Sequence, residues 1–204
     1  MRDALSQVLD QLPPIPDRER VIVALAGPPA AGKSTFAEAL AGELGEPATV
    51  VGLDGFHFDD AVLEARGDRA RKGAPHTFDV AGYQSLLDRL RAETAQPVAV
   101  PVFDRTLELS RGSARIVETE QRIVLTEGNW LLLDEPPWLQ LRPLFDLTVW
   151  LDVSLPTVER RIIDRWTAHG FERDEAERRA RDNDLPNARY AIEHSSAADL
   201  TIRP

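Results

Sequence analysis

The residues Gly27-Pro28-Pro29-Ala30-Ala31-Gly32-Lys33-Ser34 satisfy the spacing G-x-x-x-x-G-K-[ST], and each fixed position has a task in holding a chain of phosphates. Gly27 and Gly32 let the backbone turn through φ values that other residues avoid, so successive N–H groups point inward at phosphate oxygens. The helix that follows adds partial positive charge from its N-terminus at the same place. Lys33 is spaced to reach the β- and γ-phosphates, and Ser34, with Thr35 beside it, to offer a hydroxyl to Mg²⁺. Only Lys33 and Lys72 among the 24 basic residues are lysines, so a lysine inside the loop is not a product of composition.

Two acids accompany the loop. Asp54 opens Asp54-Gly55-Phe56-His57. Its carboxylate suits either accepting a proton from an attacking hydroxyl or holding Mg²⁺ through water, although Asp-Gly is also a common turn. Glu127 ends the apolar run Ile123-Val124-Leu125-Thr126 and precedes Gly128-Asn129-Trp130, the place of a metal-linked acid at the end of a buried strand. Which of the two acids is the base stays open on these grounds.

Basic residues gather in two further places. The run Arg71-Lys72-Gly73-Ala74-Pro75-His76-Thr77-Phe78-Asp79 suits a cover over an anionic or hydroxylated substrate, and equally a solvated loop. In Arg160-Arg161-Ile162-Ile163-Asp164-Arg165, helical spacing puts Arg161 and Arg165 on one face with Arg160 beside them. Positive charge there would oppose the negative charge spread over a transferring phosphoryl group, while Glu159 and Asp164 equally allow a solvated charged face. His57 and His76 have no partners at metal-ligand spacing, which leaves imidazole hydrogen bonding.

These residues need a scaffold. Leu5, Val8, Leu9 and Leu12 have helical spacing over 2–12, stopped by Pro13-Pro14. Strands are expected at 21–26, 49–53, 122–127 and 147–152, with a helix over 33–44 closing near Gly45 and Pro47. Residues 55–79 show no clear period, and a segment of that length carries function or short structure of its own. A helix is expected over 80–93, a short extended piece at 97–103 and a short strand at 114–118. Helices follow at 155–168, 172–182 and 186–194, and Leu200-Thr201-Ile202 adds a last strand. Strands alternating with helices imply a mainly parallel sheet covered on both faces. Ligands of such sheets gather at the C-terminal strand ends, where Gly27, Asp54 and Glu127 all fall.

The 204 residues suit a single domain, with a substrate-binding insertion at about 55–80 and a lid region at about 155–182. The absence of cysteine excludes disulfides, thiolate metal sites and thiol nucleophiles. No run reaches the roughly 18 apolar residues of a membrane span, and Met1-Arg2-Asp3-Ala4-Leu5 lacks the apolar core of a signal peptide. A cytoplasmic protein without a membrane partner is expected. The net charge of -10 argues against a nucleic-acid partner. No lysine lies beyond residue 72, so the guanine motif Asn-Lys-x-Asp is absent.

Together these motifs resemble the P-loop kinases of the uridine kinase, phosphoribulokinase and bacterial-type pantothenate kinase superfamily, most nearly its nucleoside and fructose-transport-system kinases. The resemblance runs from about Val21 to the C-terminus. It rests on the loop through Thr35, Asp54-Gly55-Phe56-His57, Arg71-Lys72-Gly73, Pro101-Val102-Phe103-Asp104-Arg105, Glu127-Gly128-Asn129-Trp130-Leu131-Leu132-Leu133 and the arginine helix. It implies a P-loop three-layer α/β/α sandwich with a mainly parallel five-stranded sheet and a lid helix region. It also implies transfer of the γ-phosphoryl group of ATP, with Mg²⁺, to a hydroxyl of a nucleoside, sugar or pantothenate-like alcohol.

By the same analogy Gly27 to Thr35 bind the nucleotide, and Asn187-Ala188 lies near the adenine. Ser34 and Glu127 hold the metal, Asp54 is the base beside Lys33, and Arg161 and Arg165 belong to a mobile lid. Substrate choice falls to His57, Arg71, Lys72, Asp104, Arg105, Asn129 and Trp130. Uridine kinases carry an aromatic residue where His57 stands, and pantothenate kinases have Ser-His near Asp104-Arg105, so neither substrate transfers directly. A regulatory ATPase switch acting through a protein partner is the alternative, and a homodimer stays open.

Overall fold

A computed structural model describes residues 1–16, 19–92 and 95–203. The strands are Val21–Ala26 (β1), Ala48–Gly52 (β2), Val98–Asp104 (β3), Leu109–Val117 (β4), Ile123–Gly128 (β5), Leu147–Leu151 (β6) and Leu200–Ile202 (β7). The helices are Arg2–Leu9 (α1), Lys33–Leu44 (α2), Asp60–Arg66 (α3), Val80–Ala92 (α4), Leu155–Ala168 (α5), Arg173–Arg179 (α6) and Leu185–His194 (α7). Five strands form one parallel sheet in the order β2-β5-β1-β6-β7, while β3 and β4 pair separately as an antiparallel hairpin.

All six positions of β1 are buried, as a strand covered on both faces requires. Its side chains alternate between two cores. Val21, Val23 and Leu25 pack with Leu5 and Val8 of α1 and with Phe36 and Leu40 of α2. Ile22, Ala24 and Ala26 pack with Tyr83, Leu87 and Leu90 of α4 and with Trp130 and Trp138. This is the three-layer α/β/α arrangement that the resemblance implies. The pairings Ala26↔Gly128 and Gly52↔Glu127 bring the C-terminal ends of β1, β5 and β2 level, so the loop and both acids emerge along one edge.

Several boundaries differ from expectation. The first helix stops at Leu9, because Gln11 and Leu12 donate to Val8 and Leu9 in turns and the residue before a proline disfavours helical geometry. β2 ends at Gly52, and Leu53–Phe56 form a 3-10 turn that carries Asp54. The helix expected over 80–93 ends at Ala92, and position 93 lies outside the described residues. β4 spans nine residues where only 114–118 was expected. The charged helix stops at Arg179, and a wide π-turn over Ala180–Asp184 leads into α7. Among the described residues no helix is long and apolar enough to cross a membrane.

Candidate active site

The loop between β1 and α2 is held in a shape few residues tolerate. Gly27 passes so close to β6 that an added Cβ would stand 3.0 Å from the Leu151 carbonyl oxygen. Ala30 has φ 58° and Gly32 has φ 94°, both left-handed, and Gly32 opens α2 without any side-chain cap. The first N–H groups of α2 are thereby left for an anion. Lys33, 7% exposed, donates to the Pro28 carbonyl at 3.0 Å and to Asn129 Oδ1 at 2.6 Å. Burial pulls its ammonium below the ordinary lysine value, while the carboxylates of Glu127 and Asp54 push it back up.

Ser34 Oγ donates to Glu127 Oε1 at 3.0 Å, so the two residues read as metal-linked are in contact. Burial, and then the charge of Asp54, raises the Glu127 carboxyl, opposed by Lys33 and the Ser34 hydroxyl. A divalent cation would favour its ionised form. The donor set of one hydroxyl and two carboxylates is the hard-oxygen set that Mg²⁺ prefers. Among the described residues no three His, Cys, Asp or Glu side chains close into a metal site of their own.

Asp54, Glu127 and Ser34 line one cleft of about 180 Å³ with Arg105, Arg115 and the inner side of β3. Arg105 Nη2 lies 2.7 Å from Asp54 Oδ2. His57 Nδ1 bonds the Asp54 carbonyl at 2.9 Å. A carbonyl only accepts, so Nδ1 carries the proton. Burial lowers the His57 pKa despite Asp54, which keeps the ring neutral at pH 7 and leaves a lone pair on Nε2. His57 lies tilted against Phe78 with ring centroids 4.0 Å apart, and 5.1 Å from the Phe103 ring. Lys72 binds Asp60 and the Glu108 carbonyl, each at 2.7 Å, tying α3 to the β3–β4 turn.

Other expected site residues stand elsewhere. Trp130 is fully buried and donates from Nε1 to the Gly73 carbonyl at 3.0 Å, so it supports the 71–79 segment instead of meeting a substrate. The Asp104 carboxylate caps the hairpin turn by accepting from the Thr106 and Leu107 N–H groups and pairs with Arg111, which spends its charge on local structure. Asn187 accepts from Arg71 at 3.3 Å, which groups it with the 71–79 segment. Arg71 and Asn187 line a larger cavity of about 510 Å³. That cavity lies across Phe78 from His57 and contains neither loop residue nor acid of the site, so the smaller cleft is the candidate centre.

On α5, Arg161 Nη1 donates to the Ala30 and Ala31 carbonyls at 3.2 and 3.1 Å, directly over the loop. Arg165 pairs with Asp184 Oδ1 at 3.0 Å, and Trp166 Nε1 donates to Asp184 Oδ2 at 2.7 Å. Sequence reasoning missed Asp184, and Arg115 with it. The run Asp182-Asn183-Asp184 precedes Asn187-Ala188 in the motif that the resemblance places near the adenine, and only the wide turn after α6 brings Asp184 under α5.

A glycine loop joining the central strand to a helix, with a buried lysine and an acid at the neighbouring strand end, defines the P-loop nucleotide-binding α/β class. No protein-family model matches the chain. It is 34% identical over 203 residues to the uncharacterized protein YggC of Escherichia coli, covering 97% of this chain and 84% of that one. The crystal structure of a "putative fructose transport system kinase" from Silicibacter sp. TM1040 superposes with a TM-score of 0.90 at 41% identity, covering 97% of this chain and 96% of that one. A pantothenate kinase of Corynebacterium diphtheriae is 31% identical over 150 residues, 71% of this chain but only 48% of that longer protein. The chain belongs to the P-loop kinases, and uridine kinase-like and pantothenate kinase proteins are among its relatives.

Proposed function

We propose that the chain is an ATP-dependent small-molecule kinase that converts MgATP and an alcohol to a phosphate monoester and ADP. The observation that carries this reading is the shared cleft of Ser34, Asp54 and Glu127 beside the buried Lys33. The backbone of Gly27 to Thr35 receives the phosphates, and Lys33 exchanges the Pro28 carbonyl and Asn129 for phosphate oxygens. Ser34 and Glu127 would hold Mg²⁺, which supplies charge neutralisation at the phosphates. As the acceptor oxygen bonds to the γ-phosphorus, the bond from that phosphorus to the bridging oxygen breaks and the hydroxyl proton passes to Asp54. Arg161 and Arg165 supply positive charge over the transferring group.

His57, Lys72, Arg105 and Asn129 border the acceptor's position, and the acceptor is a nucleoside, sugar or pantothenate-like alcohol. Support for an alcohol acceptor comes from the kinase relatives together with the cleft beside Asp54, which a phosphate switch would not need.

The test is an ADP-release screen with MgATP against nucleosides, sugars, pantothenate-like alcohols and vitamin precursors, each hit verified by product mass. A phosphorylated alcohol is the expected result. Steady ADP release with no phosphorylated acceptor would instead mark an ATPase switch and overturn the assignment.

A further inference from the structure

Arg105 stands at the end of β3, in the turn to β4, with its side chain 65% exposed. Its guanidinium nonetheless rests on Asp54 Oδ2 at 2.7 Å, and Asp54 is its only ion-pair partner among the described residues. The guanidinium occupies Oδ2, the carboxylate oxygen that would otherwise be open to an acceptor hydroxyl. The residue read as the base is therefore masked by a cation that an exposed side chain can withdraw.

The rest of the cleft wall has the same character. Arg115, on β4, lines the cleft and donates only to the neutral Val50 carbonyl, with no acidic partner among the described residues. The neighbouring cations already have carboxylate partners, Lys72 and Arg69 sharing Asp60 and Arg111 pairing with Asp104. Two guanidiniums on one wall are thus available to an incoming anion, Arg115 outright and Arg105 by exchange.

Resting on the kinase reading above, we infer that the acceptor is an anionic alcohol whose carboxylate or phosphate draws Arg105 off Asp54, so that the acceptor itself unmasks the base. The exchange conserves ion pairs. Arg105 trades the Asp54 carboxylate for the acceptor's anion, and the freed Oδ2 meets the hydroxyl. With MgATP alone the base stays masked, which restrains transfer to water.

The experiment uses matched acceptors differing only in one terminus: glycerol, glycerate and glycerol phosphate, then pantothenol and pantothenate, then ribose and ribose phosphate. Within the set that turns over, the anionic member should exceed the neutral one in kcat/KM by about tenfold or more, the scale of one charge-assisted hydrogen bond. The glycerate and glycerol phosphate arms separate carboxylate from phosphate. Arg105→Gln should erase the preference and raise acceptor-free ATP hydrolysis. A neutral member that matches or beats its anionic counterpart, or a preference that survives Arg105→Gln, overturns the inference.

A second arm needs no turnover. The side-chain ¹⁵N resonance of Arg105 should shift on titration of the MgADP-bound protein with glycerate or glycerol phosphate, and stay in place with glycerol. No shift with either anion sinks the inference even if the kinase reading survives. Conversely, a shift without any phosphorylated product retains the anion site and removes the kinase reading.

Discussion

The phosphate loop and the wall proposed to hold the acceptor meet in one cleft but are held by different means. The loop leaves a strand buried along its whole length, touches β6 at Gly27 and is closed over by Arg161. The acceptor wall is a 3-10 turn, the short helix α3 and a hairpin outside the main sheet, joined by Arg105–Asp54, Lys72–Asp60 and Lys72–Glu108 links. An exposed pair such as Arg105–Asp54 contributes about 0–1 kcal/mol, whereas fully burying one large apolar side chain contributes about 1.5–3 kcal/mol. The donor half is thus preset by packing, while the other half shares the core through Leu53, Val98, Val100 and Val117 and is adjustable at little cost only along its charged rim, at Arg105 and Asp54. Changes in the first should strike every acceptor alike, and changes in the second should alter choice.

That contrast can be broken experimentally. Lys33→Ala should cost about 10³-fold or more in turnover with any acceptor; an acceptor-dependent loss would dissolve the division. Asp54→Asn should lower the rate about 10²-fold while ATP affinity, measured by titration, holds. Unchanged turnover there would remove Asp54 as the base. Asp184→Asn, which loosens its hold on Arg165 and Trp166, should cut kcat about tenfold with the acceptor KM unmoved. An equal change in both would make Asp184 a packing residue only.

The smallest effect concerns stability. A carboxyl whose pKa is raised in the folded state stabilises only below its unfolded value, and that contribution is lost as pH rises through the folded value. Glu127 is raised above 4.5, so at neutral pH its charge is a cost to the nucleotide-free protein. Glu127→Gln should therefore raise Tm by about 2–4 °C, the scale of 1 kcal/mol at this length, while abolishing turnover. A lowered Tm would place Glu127 among the stabilising groups.

The donor half was legible in the sequence because its signals are local. Val21–Ala26, Lys33–Leu44, Leu155–Ala168 and Leu200–Ile202 fall where apolar runs and periodicity put them. The acceptor half was less so. Along β4, Arg111 to Ile116 are all exposed, so the strand has no buried face to create an alternating pattern. The resemblance puts Trp130 among the residues of substrate choice, and its burial depends on the distant Tyr190 and Gly73. Asp184 and Arg115 gained their positions from a wide turn and a bulged hairpin, neither of which leaves a periodic trace.

Trp166 gives the arginine helix an optical handle. Its indole N–H bonds Asp184 at 2.7 Å, and the guanidiniums of Arg165 and Arg179 stand 5.6 and 5.2 Å from its ring. Of the four tryptophans, Trp130 and Trp138 are sealed in the core and Trp150 packs against it. An indole flanked by two cations emits according to their distance, and any swing of Arg165 toward phosphate changes that distance. The unlabelled protein therefore carries its own fluorescent gauge of helix movement, with three other indoles as a steady background.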